Sequence, residues 1–366
     1  MREDGGRTLK RILVAGFSTR HVVLSARRAG FEVYAVDHFC DRDLRQNTVS
    51  CKKFEELSEL LGLIREMCET FLIDAIIPTS GAETLDCLPA PVLGTDPVTA
   101  GRFLDKGFVQ DWFSDLDIPV PPLARPGEYP AMLKPLSGSG GWRNTVVNSA
   151  DDIDAWREAF PDEPFLLQKL VQGIPASVCC VAGYGRARAL AVNRQIMRGE
   201  GPYRFGFAGS ITPFDHPMQE EMISCAERAA AASGCQGILG IDFMVSDDEI
   251  YAIEINPRFV ATLDTIEAAT GMNLVKIHLD AFQGVLPDLT PVPAQYAIRR
   301  ILFADRPCEV ADDLSFLSSR VADIPVPPAM FEEGNAIISV YGTGASLAHA
   351  QVALDTTIRV VRQHIR

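Results

Sequence analysis

Gly240-Ile-Asp-Phe-Met-Val-Ser-Asp-Asp-Glu-Ile-Tyr-Ala-Ile-Glu-Ile-Asn-Pro-Arg258 is the stretch whose reading decides the fold. Ile238 to Val245 and Ile250 to Asn256 are apolar, β-branched runs, and Ser246-Asp247-Asp248-Glu249 between them has the composition of a hairpin loop. With Ser246 paired to Ile250 around a three-residue loop, the antiparallel register sets Asp242 directly opposite Glu254, and Asn256 follows on the same face. Like charges directly opposite destabilise a sheet, whereas a hard cation that wants oxygen ligands turns the same pair into a clamp. Mg²⁺ with a nucleotide phosphate is the natural occupant. Pro257 ends the strand where the Arg258 guanidinium can reach phosphate oxygens beside the metal. Spacing alone leaves two alternatives open. The acids can lie on the solvent face of an amphipathic hairpin, and a slip of one residue would put them on opposite faces.

The composition narrows the rest. A chain of 366 residues, 47% of them hydrophobic, exceeds one ordinary core and implies two or three lobes. A formal charge of −14 without a basic stripe argues against nucleic acid as a partner, while leaving room for a small anion site. Nine cysteines, with no Cys-x-x-Cys pair and with Cys179-Cys180 inside an apolar run, fit a reducing cytoplasm. Met1 to Lys10 is polar and lacks an apolar signal core, and no stretch approaches the length of a membrane span, so export and membrane insertion are not expected.

Arg11 to Gly16, Arg20 to Gly30 and Phe31 to Val36 read as strand, helix and strand, the start of a βαβ layer. Leu57 to Phe71 is an amphipathic helix, and Asp74 to Pro78 a strand running into the loop Thr79-Ser-Gly-Ala-Glu83. Ligands of such sheets sit beyond these strand ends, so Arg20, His21 and Glu83 are candidate substrate residues. Glu83 would hold an amine, and Arg20 and His21 would grip an acid or its acyl phosphate. Each also has a plainer role, as a helix cap or a solvated first-turn residue. No Gly-x-Gly-x-x-Gly fingerprint is present, so no NAD is assigned. Asp105 to Leu116 is a helix before the proline-rich Ile118-Pro-Val-Pro-Pro122. Strands at Ala131–Pro135, Thr145–Val147 and Phe165–Leu170 with helix Asp151–Glu158 make a compact lobe. A second sheet takes Ala176–Val181, Ala187–Met197 and the hairpin, and helices cover Gln219–Ser233, Thr265–Gly284 and Leu347–Arg366.

Asp242, Glu254, Asn256 and Arg258 resemble the acid–acid–Asn–x–Arg signature of the ATP-grasp superfamily, whose members make acyl phosphates. The resemblance runs through most of the chain. It implies an α/β and α+β architecture, with an N-terminal Rossmann-like domain (1–97), a small ATP-grasp lobe (98–172), a large lobe with the metal-binding hairpin (173–290) and a C-terminal segment (291–366). By position Lys106, and Lys134 ahead of the loop Ser137-Gly138-Ser139-Gly140-Gly141, are similar to the family's phosphate-binding lysines and its mobile glycine-rich loop. Outside that context the loop is a flexible hairpin and the strand lysine an edge guard. Gln168, Lys169, Leu170 and Val171 occupy the place of the hinge that grips adenine. The family commonly has an acid just after the position of Gln168 and another after the following glycine; this chain has Lys169 and Pro175 there. Arg194, on the next strand, either faces the phosphates or substrate acid or is an ordinary surface arginine.

The superfamily resemblance takes in Gly206 to Pro213, and within it Arg258 to Gly271 looks most like predicted ATP-dependent carboligases related to biotin carboxylase. Biotin carboxylases carry Gln-Val-Glu-His just after the arginine; this chain lacks that pair and a biotinyl carrier domain, which disfavours biotin chemistry. The resemblance therefore implies ATP- and Mg²⁺-dependent ligation, with Mn²⁺ an admissible substitute. Asp242, Glu254 and Asn256 would hold the metal, Lys106 and Lys134 would neutralise phosphate, and Arg258 and Arg194 would act at the reacting centre. A small-molecule carboxylate would be phosphorylated and then attacked by an amine, releasing ADP and phosphate. A bicarbonate-dependent carboxylase and a non-catalytic ATP-binding regulator are the rival expectations. A homodimer is an open option, and the identity of acid and amine is left to the loops.

Overall fold

The computed structural model describes residues 9–125, 127–138, 140–141, 143–201 and 203–366. Its first layer is a parallel sheet of β1 (Arg11–Gly16), β2 (Glu32–Asp37), β3 (Ser50–Lys53) and β4 (Ala75–Pro78) in the order β3-β2-β1-β4. Helices α1 (Arg20–Arg28), α2 (Arg42–Asn47) and α3 (Leu60–Thr70) connect the strands. Both faces of β1 are covered, which is why its sequence is a continuous apolar run rather than an alternating one. The chain leaves β1 through Gly16, whose φ of +147° suits glycine and where a Cβ would stand 2.2 Å from Thr79 Oγ1. That close approach lets the Phe17 N–H donate to the Ser80 carbonyl at 2.6 Å and joins the two loops beyond the sheet. The short α2 and β3 carry no clear periodicity and were not foreseen.

After α4 (Pro97–Arg102) and α5 (Lys106–Asp115) comes a small antiparallel sheet, β6-β5-β7, of β5 (Ala131–Pro135), β6 (Thr145–Val147) and β7 (Phe165–Lys169), backed by α6 (Ala150–Ala159). It has its own core of Ala131, Leu133, Val147 and Trp156. Helix α5 does not share that core. Its Val109 and Phe113 pack with Val178, Leu239 and Ile241 of the large sheet.

That large sheet is built from β8 (Ile174–Gly183), β9 (Arg186–Met197), β10 (Phe207–Thr212), β11 (Gly237–Val245), β12 (Ile250–Asn256) and β13 (Tyr296–Phe303), followed by two of the four later strands. Those later strands are β14 (Cys308–Val310), β15 (Val321–Ala322), β16 (Ala329–Phe331) and β17 (Ala336–Gly344). The order β12-β11-β8-β9-β10-β13-β17-β15 shows that the C-terminal part extends the sheet instead of merely leaning on it, while β14 and β16 pair separately. Helix α7 (Gln219–Ala232) covers it, α8 (Leu263–Thr270) and α9 (Leu274–Ala281) follow the hairpin, and α10 (Leu347–Arg362) closes the chain. The single helical stretch expected over 265–284 is two helices because Gly271 takes a left-handed φ of 73° and stops the first.

The first layer is locked to the large sheet. Ile12, Val22 and Ala26 share one core with Cys179, Leu190, Phe259 and Leu263. Above that core a buried ionic network crosses the seam: Arg20 donates to both Asp264 oxygens (2.9 and 2.7 Å) and to Asp323 (2.8 Å), and Arg299 also holds Asp323 (2.9 Å). Arg20 and Arg299 hold the Asp264 and Asp323 carboxyls below the usual carboxylate range against the opposing effect of burial. One covalent link departs from the expected set of thiols: Cys40 and Cys51 form a disulfide between the end of β2 and β3, and the remaining cysteines are free. Among the described residues no helix is long and apolar enough to cross a membrane.

His278 makes a second tie, with the Ile238 amide donating to its Nδ1 (2.9 Å) and its Nε2 facing the Leu93 carbonyl (3.0 Å). The carbonyl can only accept, so Nε2 carries the hydrogen and Nδ1 must stay bare. Burial pushes the ring down to about 4, and His21, also buried, is pushed to about 4 as well. A histidine with a depressed folded pKa contributes stability that is present above its unfolded pKa, about 6.5, and lost as the pH falls towards the folded value. Urea denaturation across that range should therefore show stability falling from about pH 6.5 to about 4, by up to about 3 kcal/mol for each ring. His278→Asn should remove its share of the slope and lower stability at neutral pH by about 1–3 kcal/mol; an unchanged slope would contradict the assignment.

Candidate functional site

The hairpin register pairs Asp242 with Glu254 and Gly240 with Asn256, as the sequence predicts, but by a different route. The loop has four residues, with Val245 opposite Ile250 and the Ser246 N–H donating to the Glu249 carbonyl at 2.8 Å. Carried on unbroken, that register would miss the acid pair by one residue. A β-bulge at Ile253 restores it, since Phe243 faces Ala252 whereas Asp242 faces Glu254. The extra residue also puts Ile253 and Glu254 on the same cavity, an apolar surface beside a charged one.

Asp242 Oδ1 accepts from Gln195 Nε2 at 3.0 Å, and the Asn256 amide lies 3.4 Å from Asp242 Oδ2 and 3.3 Å from Glu254 Oε1. Burial first, and the facing Glu254 second, push the Asp242 carboxyl well up. Two carboxylates converge here beside Asn256, which turns its amide nitrogen to both acids; the carboxylate oxygens, joined by the amide oxygen once that side chain turns over, are a donor set that fits a hard divalent cation. The opposite wall is positive. Lys134 on β5 is buried and, mainly by desolvation, pushed down to about 8, with Glu254 the charge that opposes the shift. Lys106 opens α5, where Asp105 caps the helix by accepting from the Gly107 and Phe108 amides (2.8 and 3.0 Å), and its Nζ donates to the Gly138 carbonyl at 2.6 Å.

Between these walls lies a cavity of about 440 Å³, within the range of small-molecule sites. Of the sequence-predicted residues it brings together Lys134, Gly140, Gly141, Gln168, Lys169, Leu170, Val171, Asp242, Glu254, Asn256 and Arg258. Gly141 packs so closely against the loop before β10 that a Cβ would lie 2.3 Å from the Phe205 carbonyl oxygen, and Phe205 also lines the cavity. Lys106 and Gly138, joined to each other, are not among the lining residues, Ser137 turns to Glu163 at 3.3 Å, and Ser139 lies outside the described residues.

Four predicted residues are placed elsewhere. Arg194 is exposed and absent from the lining. The strand alternates, so its neighbours Gln195 and Met197 take the cavity face. Glu83 is not free to hold an amine, because its Oε1 accepts from Arg258 Nε at 2.5 Å and its side chain is buried. Arg20 and His21 are buried in the ionic network around Asp264, with every strong contact of Arg20 already made to Asp264, Asp323 and Tyr341. A guanidinium buried to that degree must be paired internally, and nearby carboxylates supply the pairs. Gln195 and Thr262 are cavity residues that sequence reasoning missed. The alternation of β9 around the chosen Arg194 would have pointed to Gln195; nothing local marks Thr262.

Residues 103–262 match the ATP-grasp domain family. An uncharacterized protein of Methanocaldococcus jannaschii is 25% identical over 356 residues, covering 90% of this chain and 87% of its own length. Among solved structures, the biotin carboxylase of Campylobacter jejuni in complex with β,γ-ATP has a TM-score of 0.76 at 17% identity, covering 94% of this chain and 91% of that one. The L-amino acid ligase of Bacillus licheniformis has a TM-score of 0.69 at 15% identity, covering 98% of each chain. A pyruvate carboxylase of Rhizobium etli has a TM-score of 0.78 at 17% identity; the match takes in 98% of this chain but only 37% of that longer one.

The facing acids generate a test that needs no substrate. In chelator, Glu254→Gln should be at least as stable as the parent, because about 0.2–1 kcal/mol of cross-strand repulsion is relieved. Mg²⁺ should raise the melting temperature of the parent and leave that of the variant unmoved. Equal stabilisation of both proteins by Mg²⁺ would remove Glu254 from the metal site.

Proposed function

We propose that this chain, whose residues 103–262 match the ATP-grasp domain and whose fold is like that of biotin carboxylase, is an ADP-forming ligase that activates a small-molecule carboxylate for attack by an amine. The observation that carries the reading is one cavity lined by an acid pair, Asp242 and Glu254, and by Lys134, with Lys106 beside it in the field of Glu254. That is the charge pattern a metal-bound triphosphate needs. Asp242, Glu254 and Asn256 would hold Mg²⁺, which when bound neutralises phosphate oxygens and so favours loss of ADP.

The residues of the chain supply position and charge. Lys134 and Lys106 offset the negative charge of the transferring phosphoryl group, and the nearby amides of Gly140 and Gly141 are free of side chains that would keep a phosphate away. Arg258 is oriented by Glu83 and by the Phe259 carbonyl (3.3 Å), leaving the rest of its guanidinium towards the cavity it lines. There it stabilises the oxyanion that develops when the amine adds to the acyl phosphate.

Among the described residues the cavity is lined by no histidine, cysteine or tyrosine, and by no acid besides the metal pair. A protein nucleophile or base is therefore not called for. That favours an acceptor already ionised at neutral pH, a carboxylate, whose oxygen attacks the γ-phosphorus while the bond to ADP breaks. The amine nitrogen then forms the amide bond, phosphate leaves, and the proton of the amine passes to solvent or phosphate. An L-amino acid ligase shares this fold, as do biotin and pyruvate carboxylases, so the choice of a ligase rests on the cavity lining and not on the fold. A cytoplasmic location belongs to the same proposal, as do the lobe limits 1–97, 98–172, 173–290 and 291–366.

A screen of acids and amines with ATP should show ADP release that depends on an acid, and hydroxylamine should trap the acyl phosphate as a hydroxamate. Release only with bicarbonate, or tight ATP binding without turnover across the panel, would overturn the proposal. Lys134→Met should weaken ATP binding about 10- to 100-fold, the equivalent of one charge-assisted hydrogen bond. Glu83→Gln should lower kcat about tenfold or more through a misplaced Arg258 while changing ATP affinity less than about twofold. A large loss of ATP affinity instead would place Glu83 in the nucleotide site.

A further inference from the structure

The two oxygens of Asp242 are held by different groups. Oδ2 lies 3.4 Å from the Asn256 amide nitrogen, which also faces Glu254 and must turn over before its oxygen can ligate a cation. Oδ1 accepts from Gln195 Nε2 at 3.0 Å. A carboxylate can only accept, so Gln195 must present its nitrogen, and the bond is of the stronger, charge-assisted kind. Gln195 comes from outside the hairpin. On β8, Ser177 pairs with Asp242 on one side and Ala176 with Arg194 of β9 on the other, which sets Gln195 two strands from the acid, a span of about 10 Å. Its side chain crosses β8 on the cavity face, where the compact Pro175 and Ser177 line the same cavity. A shorter amide at this position would fall short of the acid.

We propose that Gln195 is a positioning residue that sets the cation selectivity of the site: by holding Asp242 Oδ1 it leaves the acid to bind metal through Oδ2 alone. The inference rests on the metal reading above and adds to it what selects the ion. The Gln195 nitrogen has no lone pair to offer a metal, so its hydrogen bond stays in place when the Asn256 amide turns over. Mg²⁺ demands near-octahedral geometry at about 2.1 Å, keeps several waters and needs only one oxygen from each carboxylate. Ca²⁺ takes roughly six to eight oxygens at about 2.3–2.6 Å and gains from a carboxylate that gives both. To draw Oδ1 into its shell, Ca²⁺ must break the Gln195 bond; Mg²⁺ need not.

Melting-temperature titrations of the purified protein with MgCl₂ and with CaCl₂, at constant ionic strength, give an apparent affinity for each cation. Gln195→Met, of similar length but without a donor, should raise the ratio of Ca²⁺ to Mg²⁺ affinity about fivefold or more over the parent, the scale of one charge-assisted hydrogen bond. Gln195→Asn keeps the amide but is one methylene too short to cross β8, and should move the ratio in the same direction. Both cations are read on the same protein, so a general loss of stability cancels from the ratio. A merely structural role for Gln195 would weaken both cations together and leave the ratio at the parental value. That result overturns the proposal, as does a ratio that falls. Should Gln195→Met not fold, Gln195→Asn decides alone by the same criterion. A parent stabilised by neither cation overturns the reading of the acid pair as a metal site, a failure distinct from a parent that binds both and variants that keep its ratio.

Discussion

Two carboxylates held face to face across a β-ladder are the constraint around which the site is arranged. In an ordinary hairpin such a pair would be removed from the core or neutralised by an adjacent cation. Here it is retained at the floor of a cavity, where burial first and the facing Glu254 second raise the Asp242 carboxyl, with amide donors from Gln195 and Asn256 turned towards the acids. The lysines stand back on other elements, Lys106 on α5 and Lys134 on β5, close enough to share the field of Glu254 without closing an ion pair with it. Direct pairing would abolish the site by filling it. Separation keeps both charges available, one for a cation and the other for an anion.

Much of this could be read from residues alone because it is local. Strand runs such as Arg11–Gly16 and Ala131–Pro135 are bounded by glycine and proline, and the order of lysine, glycine-rich loop and acid hairpin needs no tertiary information. What escaped was whatever depends on a partner distant in sequence. The hairpin shows this well: the acid pair was found with a loop one residue too short, because the bulge at Ile253 makes good the difference. No propensity distinguishes that isoleucine from its neighbours, as the bulge is imposed by the partner strand and by the cavity. The membership of the strands after residue 290 in the large sheet follows only from the pairing of β10 with β13.

Charged residues in loops were the least legible. Arg20 and Glu83 sit where ligands of parallel sheets are found, and each has the right charge for substrate. The structure pairs each with a charge of its own instead: Arg20 with Asp264 and Asp323, Glu83 with Arg258. Burial accounts for the difference, because a charge removed from water takes the nearest opposite charge whatever its distance along the chain. Glu83 nevertheless stays connected to the site through the guanidinium it orients, so the loop after β4 contributes to the geometry of the chemistry without touching the reactants.

The seam between the small sheet and the rest has a further consequence. The parallel sheet is fastened to the large one by a shared core and a buried ionic network, whereas β5, β6 and β7 keep a core to themselves. Helix α5 belongs to the large side, and from it two side chains reach across to the small side, Lys106 to the Gly138 carbonyl and Gln110 to Gln168. Any jaw-like motion of this molecule is made by the small sheet, and it must break both clasps. Because they sit on one helix face at opposite ends of the cavity, the jaw cannot peel open from one end while gripping at the other: the phosphate end and the base end are freed in the same stroke.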